Sequence, residues 1–406
     1  MTVTIRPSRA GGTVSAPPSK SGSQRALLCA ALCRDGHSRI RGLAFSDDIL
    51  AAIDCLRALG AHIERQGDHM EITGVSPERF PAGAVLPCRS SGTTLRFLIP
   101  LSLISDKDIN FTGSRQLFSR PLSVYEEICR QRGLRFFLSG QRLTVRGPLA
   151  PGAFQVPGDV SSQFISGLAF ALPLLTGNSV VRVLPPLGSK PYLDMTLDML
   201  DRFGVAARWE DGCLSLAGGQ QYRPTDLTVE GDWSNAAYFL ALHALGGDVT
   251  VTGLSADSLQ GDRAAPAYID ALRRGTPTLD LSDCPDLGPV CMALAAALHG
   301  AVFTGVRRLR YKESDRIASM TEELAKCGVA AQADDDSVFI PGGALMAPCA
   351  PFSGHGDHRI VMALAVLATL TGGVIRGAEA VSKSCPDFFD ALRKLGVSCI
   401  ESAERP

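Results

Sequence analysis

Hydrophobic and polar positions along this chain fall into two interleaved helical series. Six segments open on small polar residues and then run apolar on every face. They are KSGSQRALLCAAL from Lys20, SGTTLRFLIPLSL from Ser91, SSQFISGLAFALPLL from Ser161, DWSNAAYFLALHALG from Asp232, CPDLGPVCMALAAAL from Cys284 and GDHRIVMALAVLATL from Gly356. A helix apolar all round is a buried helix, and a Ser, Thr or Asp start is N-cap chemistry. Between them lie amphipathic segments at helical spacing, each ending in a glycine: Gly60, Gly133, Gly204, Gly275, Gly328 and Gly396. Glycine just past the last turn is the usual left-handed stop.

Alternating stretches such as AHIERQGDHMEIT, LRFFLSGQRLTVRG, VAARWEDGCLSLAG and VAAQADDDSVFIPG follow most of these glycines and predict β-hairpins. After Gly275 stands only TPTLDLSD, which predicts a lost hairpin in the fourth unit. The spacings agree: starts at 20, 91, 161, 232, 284 and 356 are separated by 71, 70, 71, 52 and 72 residues. A period this long, held six times, signals repeated supersecondary units. Six units predict an α/β protein of two domains with three repeats each, inner helices being wrapped by outer helices and sheets. The boundary is expected near Glu230, and the strand-like start MTVTIRPSRAGG pairs with either half.

Composition changes this picture little. The 406 residues are 45% hydrophobic and 20% charged, which suits two soluble domains. Forty basic and 41 acidic residues give a formal charge of -1, so no global field points to nucleic acid or an anionic membrane. Twelve scattered cysteines without a CxxC read as reduced core residues. No signal sequence or membrane-length apolar run is evident, and a cytoplasmic location is expected.

The helix fronts carry the candidate chemistry. Basic residues recur there: Lys20, Arg25, Arg96, Arg120, Lys190, Lys312, Arg316, Arg359 and Lys383. A helix N-terminus already bears roughly half a positive charge. Cations there are adverse unless an anion arrives, so the fronts are expected to meet in one cleft around an anionic ligand. Ser21, Ser161, Ser162 and Ser189 stand ready to donate to an oxyanion. PPSKS is no phosphate-binding GxxxxGK[ST] loop, because Val14 and Ser19 occupy both glycine positions and two prolines remove donors. HGDH reads as a helix entry capped by Asp357, since HxxH alone is a weak metal signal. Asp286 and Glu313 are the acid–base candidates, against a bland alternative as ordinary first-turn carboxylates.

In order and spacing, PPSKSGSQRALL, SGTTLRFL, GSRQLFSRPL, GDVSSQFISG, SKPYLDMTL, CPDL, RYKESDR, GDHRIVMA and SKSCPDFF resemble the signature segments of the EPSP synthase family of enolpyruvyl transferases. The resemblance runs from Lys20 to Phe389. It implies a two-domain inside-out α/β barrel, each domain three βαβαββ-type repeats with buried parallel helices. The domains would be residues 13–230, on the shikimate 3-phosphate side, and residues 1–12 with 231–406, on the acid–base and phosphoenolpyruvate side. It further implies transfer of enolpyruvate from phosphoenolpyruvate to the 5-hydroxyl of shikimate 3-phosphate, without metal or organic cofactor, in a monomer.

By the same resemblance, Lys20, Ser21, Arg25, Ser161, Ser162, Ser189, Tyr192, Asp286 and Lys312 would bind shikimate 3-phosphate. Lys20, Gly92, Arg120, Gln163, Arg316, Arg359 and Lys383 would bind phosphoenolpyruvate. Asp286, Glu313 and Lys20 would be catalytic, with Asp286 as base and Glu313 as the acid that protonates the methylene. Gly92 is expected to leave room for glyphosate, which competes for the phosphoenolpyruvate site in the family. Three departures stand out: Ser90 and Arg308 replace asparagines of the family pattern, and the fourth unit is short. The sister family acting on UDP-N-acetylglucosamine fits less well, because Ser21 follows Lys20 and GSRQLFSRP lacks its cysteine. A non-catalytic anion-binding homologue is the rival from another class.

Overall fold

The structure, a computed structural model, describes residues 1–343 and 345–402. The chain divides into two compact units, Pro18–Glu230 and Met1–Pro17 with Gly231–Pro406. Helices of the Pro18–Glu230 unit are α1 (Lys20–Ala31), α2 (Asp47–Ala58), α3 (Gly92–Ser102), α4 (Arg115–Ser119), α5 (Ser123–Gln131), α6 (Ser162–Ala171) and α7 (Lys190–Arg202). Those of the other unit are α8 (Trp233–Ala244), α9 (Ala265–Arg274), α10 (Gly288–Ala297), α11 (Arg316–Ala325), α12 (His358–Thr371) and α13 (Phe388–Lys394).

The six helices read as apolar all round, α1, α3, α6, α8, α10 and α12, are buried along nearly their whole length. Five have a side-chain cap: Ser91, Ser161, Asp232 and Asp357 as expected, and Ser19, one residue ahead of the segment read from Lys20, each accept from a backbone N–H of the first turn. The exception is α10, which is entered through a 3-10 turn, Pro285–Leu287. The amphipathic helices bury one stripe, as α5 does with Val124, Tyr125, Ile128 and Cys129. α3 and α6 approach closely at Gly167, where a β-carbon would stand 2.5 Å from the Arg96 carbonyl oxygen. Tyr125 fills the same junction and donates its hydroxyl to that oxygen at 2.7 Å, as a buried phenol requires.

Five of the six predicted helix stops adopt positive φ; Gly275 instead is extended, φ 166°. No hairpin turns the chain back there, so it runs straight into the strand Thr278–Asp280. That strand pairs with Gly300–Thr304 and opens the next sheet. TPTLDLSD is thus the start of the fifth unit, and the fourth sheet has only two strands.

The other five sheets share one order: a parallel edge strand, a central strand and two antiparallel strands. In each unit the central strand follows the inner helix. Two edge strands are exchanged. Gly11–Ser15 precedes α1 yet pairs with Asp248–Thr252, which follows α8. Leu227–Thr228 precedes α8 yet pairs with His37–Arg41, which follows α1. Residues 13–15 therefore go with the second unit, and the boundary expected after residue 12 stands at Pro17. The open question of the first strand resolves likewise: Thr2–Ile5 lies between Gly373–Arg376 and Cys399–Ser402, completing the last sheet. With inner helices buried and sheets outside, each unit is a mixed, inside-out α/β body. All twelve cysteines are free thiols, ten of them buried.

Candidate active site

In the Pro18–Glu230 unit the inner helix fronts are stitched together by side chains. Gln24 of α1 donates to Ser91 Oγ and Thr94 Oγ1 at the start of α3, at 3.1 and 3.3 Å. Arg96 of α3 holds Gln163 Oε1 of α6 at 2.8 Å, and Gln163 returns its amide to Thr93 at 2.9 Å. Arg25 reaches from α1 to α7, donating to Thr196 Oγ1 and the Tyr192 carbonyl at 2.9 Å each, and to its own helix at the Ser21 carbonyl. Burial lowers its guanidinium to about 10, still charged near neutrality. Lys20 pairs with Asp48 at 3.1 Å, both largely buried. Ser189, at φ 57°, precedes α7. The unit thus brings together Lys20, Ser21, Arg25, Gly92, Arg120, Ser161, Ser162, Gln163, Ser189 and Tyr192.

Gly92 does not face open space. A β-carbon on it would lie 2.5 Å from Arg120 Nη1 and 3.2 Å from Arg96 Nη1, so the room expected there is filled by guanidinium groups that need the missing side chain.

The second unit gathers Asp286, Lys312, Glu313, Arg316, Arg359 and Lys383. Arg316 is the hub. Its Nε donates to Asp357 Oδ2 at 2.8 Å, Nη1 to Asp286 Oδ1 at 2.8 Å and Nη2 to Glu313 Oε2 at 2.9 Å. Burial by itself would depress the Arg316 guanidinium, but Asp357, Asp286 and Glu313 outweigh it and raise it. Lys312 adds 3.3 Å and Arg359 3.5 Å to Asp286, while Lys383 stands 3.3 Å from Glu313. Burial, ahead of its neighbours' charges, lowers the Lys312 ammonium. Arg359 donates Nη1 to Asn235 of α8 at 3.1 Å. Two carboxylates are therefore held on opposite nitrogens of one buried guanidinium, each also touched by a lysine. That arrangement fixes both carboxylates in place and surrounds them with cations.

These contacts correct one expectation. The helix-front cations were read as uncompensated without a ligand; instead Lys20, Lys190, Lys312, Arg316, Arg359 and Lys383 each have a carboxylate partner. Repulsion at the fronts is offset internally, so an anion must compete with or join those carboxylates. Asp357 caps α12 as expected, accepting from Arg359 N at 2.9 Å. Of HGDH, His355 bonds Glu323 at 2.7 Å. Glu322, Glu323 and His355 bring three potential ligand atoms within 4.8 Å of one another, but Lys326 sits on both Glu323 oxygens at 2.9 and 2.8 Å and supplies a cation there already.

The EPSP synthase (3-phosphoshikimate 1-carboxyvinyltransferase) family matches residues 5–392. The chain belongs to this family. Among curated members, 3-phosphoshikimate 1-carboxyvinyltransferase of Clostridium kluyveri is 39% identical over 97% of each chain. Its counterpart in Clostridium botulinum strain Alaska E43 is 36% identical over the same share. The solved EPSP synthase of Acinetobacter baumannii superposes with a TM-score of 0.76 at 23% identity, covering 98% of this chain and 99% of that one. That last likeness supports the fold.

Two residues that the sequence did not single out, Asp48 and Asn235, hold Lys20 and Arg359. Arg96, expected only as a helix-front cation, holds Gln163. Asp48 had a visible signal, an acid pair in the first turn of α2, but the helix dipole explains such a pair without any partner. Asp357 was legible as a cap and not as the anchor of Arg316. Among the described residues no helix is long and apolar enough to cross a membrane.

Proposed function

We propose that this protein transfers the enolpyruvyl group of phosphoenolpyruvate to the 5-hydroxyl of shikimate 3-phosphate and releases phosphate. The observation that carries this reading is the Asp286–Arg316–Glu313 bridge, within an EPSP synthase sequence matched from residue 5 to 392. Addition followed by elimination needs a proton delivered to the methylene carbon and a proton taken from the attacking hydroxyl. Glu313 is assigned the first task and Asp286 the second, each contributing roughly 10²–10⁴-fold. Once the methylene is protonated, the adjacent carbon is electrophilic and the hydroxyl oxygen adds; phosphate then leaves the tetrahedral adduct as the Glu313 carboxylate takes a proton back from the methyl group, restoring the C=CH2 bond.

Arg25, Ser21, Ser161, Ser162, Ser189 and Tyr192 are assigned to shikimate 3-phosphate, with Lys312 against its hydroxyls. Lys20, Gly92, Arg120, Gln163, Arg316, Arg359 and Lys383 are assigned to phosphoenolpyruvate. Lys20, Arg120 and Lys383 stabilise the departing phosphate. Both substrates are polyanions that repel in water, so holding them in register supplies much of the rest. The reading has the chain act on small molecules in the cytoplasm, as a monomer, with no metal or organic cofactor.

The test is phosphate release from phosphoenolpyruvate in EDTA, with shikimate 3-phosphate, unphosphorylated shikimate or UDP-N-acetylglucosamine in parallel. Release with shikimate 3-phosphate alone is the expected outcome. Release with UDP-N-acetylglucosamine, or from none of the three, overturns the reading.

A further inference from the structure

Behind Asp286 lies a carboxyl that the scheme above does not use. Asp262 sits on the 3-10 turn Gly261–Ala264, only 2% exposed. Gln260 fastens this turn to the front of α8, accepting from Trp233 N at 3.0 Å and donating to the Gly231 carbonyl at 2.8 Å. The turn also packs against the 3-10 turn Pro285–Leu287 that carries Asp286. Ser234 Oγ donates to Asp262 Oδ2, and among the described residues Oδ1 has no partner. An ionised carboxylate with a bare oxygen in so buried a seat is costly, whereas the acid form leaves only a neutral hydroxyl unpaired.

The groups facing Asp262 pull both ways. Asp286 from the neighbouring turn and, less, Asp232 from the α8 cap repel its charge, whereas the hydrogen bond from Ser234 and Arg359 from α12 favour it. The nearby thiols Cys284 and Cys291 are pushed up by burial and stay neutral. Of its own turn and the continuing α9, Arg263, Asp270, Arg273 and Arg274 are exposed, and Tyr268 donates to the Asp280 carbonyl. Burial first, and then Asp286, push the Asp262 carboxyl up to about 7. Arg359 has a buried Nε without a partner, while its Nη2 faces Asp286.

We propose that Asp262 is a positioning residue: seated as the carboxylic acid, it accepts from Ser234 and leaves Asp286 as the carboxylate that holds Arg359. When Asp262 loses its proton, a second anion competes for Arg359 through the unpartnered Nε, and the guanidinium is drawn off Asp286. This inference rests on the assignment of Asp286 and Arg359 to the enolpyruvyl reaction.

Two arms test it. Infrared titration of the wild-type protein carrying ¹³C-carboxyl aspartate, without substrate, should show a protonated carboxyl that disappears near pH 7 and is absent from Asp262→Asn. In turnover, the KM for phosphoenolpyruvate should climb about tenfold in the wild type once Asp262 ionises, while the Asp262→Asn profile stays flat. A wild type without that titrating carboxyl overturns the proposal, whatever the enzyme does with substrate. An Asp262→Asn profile that follows the wild type overturns it as well. If that variant does not fold, the wild-type titration decides alone, and since it needs no turnover it stays readable should the enolpyruvyl assignment fail.

Discussion

Asp357 holds Arg316 through Nε at 2.8 Å while the same carboxylate caps α12 by accepting from Arg359 N at 2.9 Å. One side chain thus sets both the hub guanidinium and the helix front that presents Arg359. Both members of the pair are buried, with side chains 0% and 2% exposed.

The two roles of Asp357 separate by substitution. Asp357→Asn keeps a cap acceptor and loses the charge, and Asp357→Ala loses both. Breaking a buried pair by removing one partner costs about 3–5 kcal/mol, and loss of a cap adds about 1 kcal/mol. Denaturant unfolding should therefore rank wild type above Asn above Ala. At the same time kcat/KM of the Asn variant should fall at least ~100-fold, because such a loss leaves Arg316 free to leave Asp286 and Glu313. An Asn variant with unchanged turnover would dissociate Arg316 orientation from the chemistry.

Glu313→Gln tests the acid. The amide retains a hydrogen-bond acceptor for Arg316 and Lys383 and has no proton of suitable acidity to deliver. Shikimate 3-phosphate binding, followed by calorimetry, should be preserved, and kcat should drop by roughly 10²–10⁴-fold. Near-normal turnover would remove Glu313 from that role.

Repeat number, the inner and outer helices and the missing fourth hairpin were legible because each has a local signature: all-round apolarity, a capping residue or a terminal glycine. The strand exchange was not, since nothing in GGTVS distinguishes pairing with His37–Arg41 from pairing with Asp248–Thr252; both partners are five-residue strands. Gly275 was misread as a left-handed stop because its extended backbone depends on where the chain goes next. Charged residues of the site were legible as types, yet their pairing was not. Asp48 is 28 residues from Lys20, and Asn235 is 124 residues from Arg359. Such contacts are set by how the helices pack on one another, which periodicity alone does not encode.

Gly92 supplies a prediction of a different kind. Adding a methyl group forces Arg120 aside, because the new β-carbon would overlap its Nη1 at 2.5 Å. The helix itself is unaffected, Ala being the better helix former. Gly92→Ala should therefore fold with undiminished stability and show a KM for phosphoenolpyruvate raised about tenfold or more, with kcat changed less. An unchanged KM would mean that Arg120 does not touch this substrate.

Asp262 ties stability to pH in the opposite sense to an ordinary paired carboxylate. Its folded-state value, raised to about 7 by burial and by Asp286, lies above the unfolded value of about 3.9. Between these two values the native state binds more protons than the unfolded state, so stability falls as pH rises through that window. The favourable contribution is complete below the unfolded value and gone above the folded one. Asp262→Asn presents a neutral side chain of nearly the same shape and has no proton to lose. Its unfolding midpoint, compared with wild type, should thus be higher at pH 8, with the gap closing toward pH 4. A gap of the same size at both values would show that Asp262 is charged throughout and that the asparagine acts only through packing.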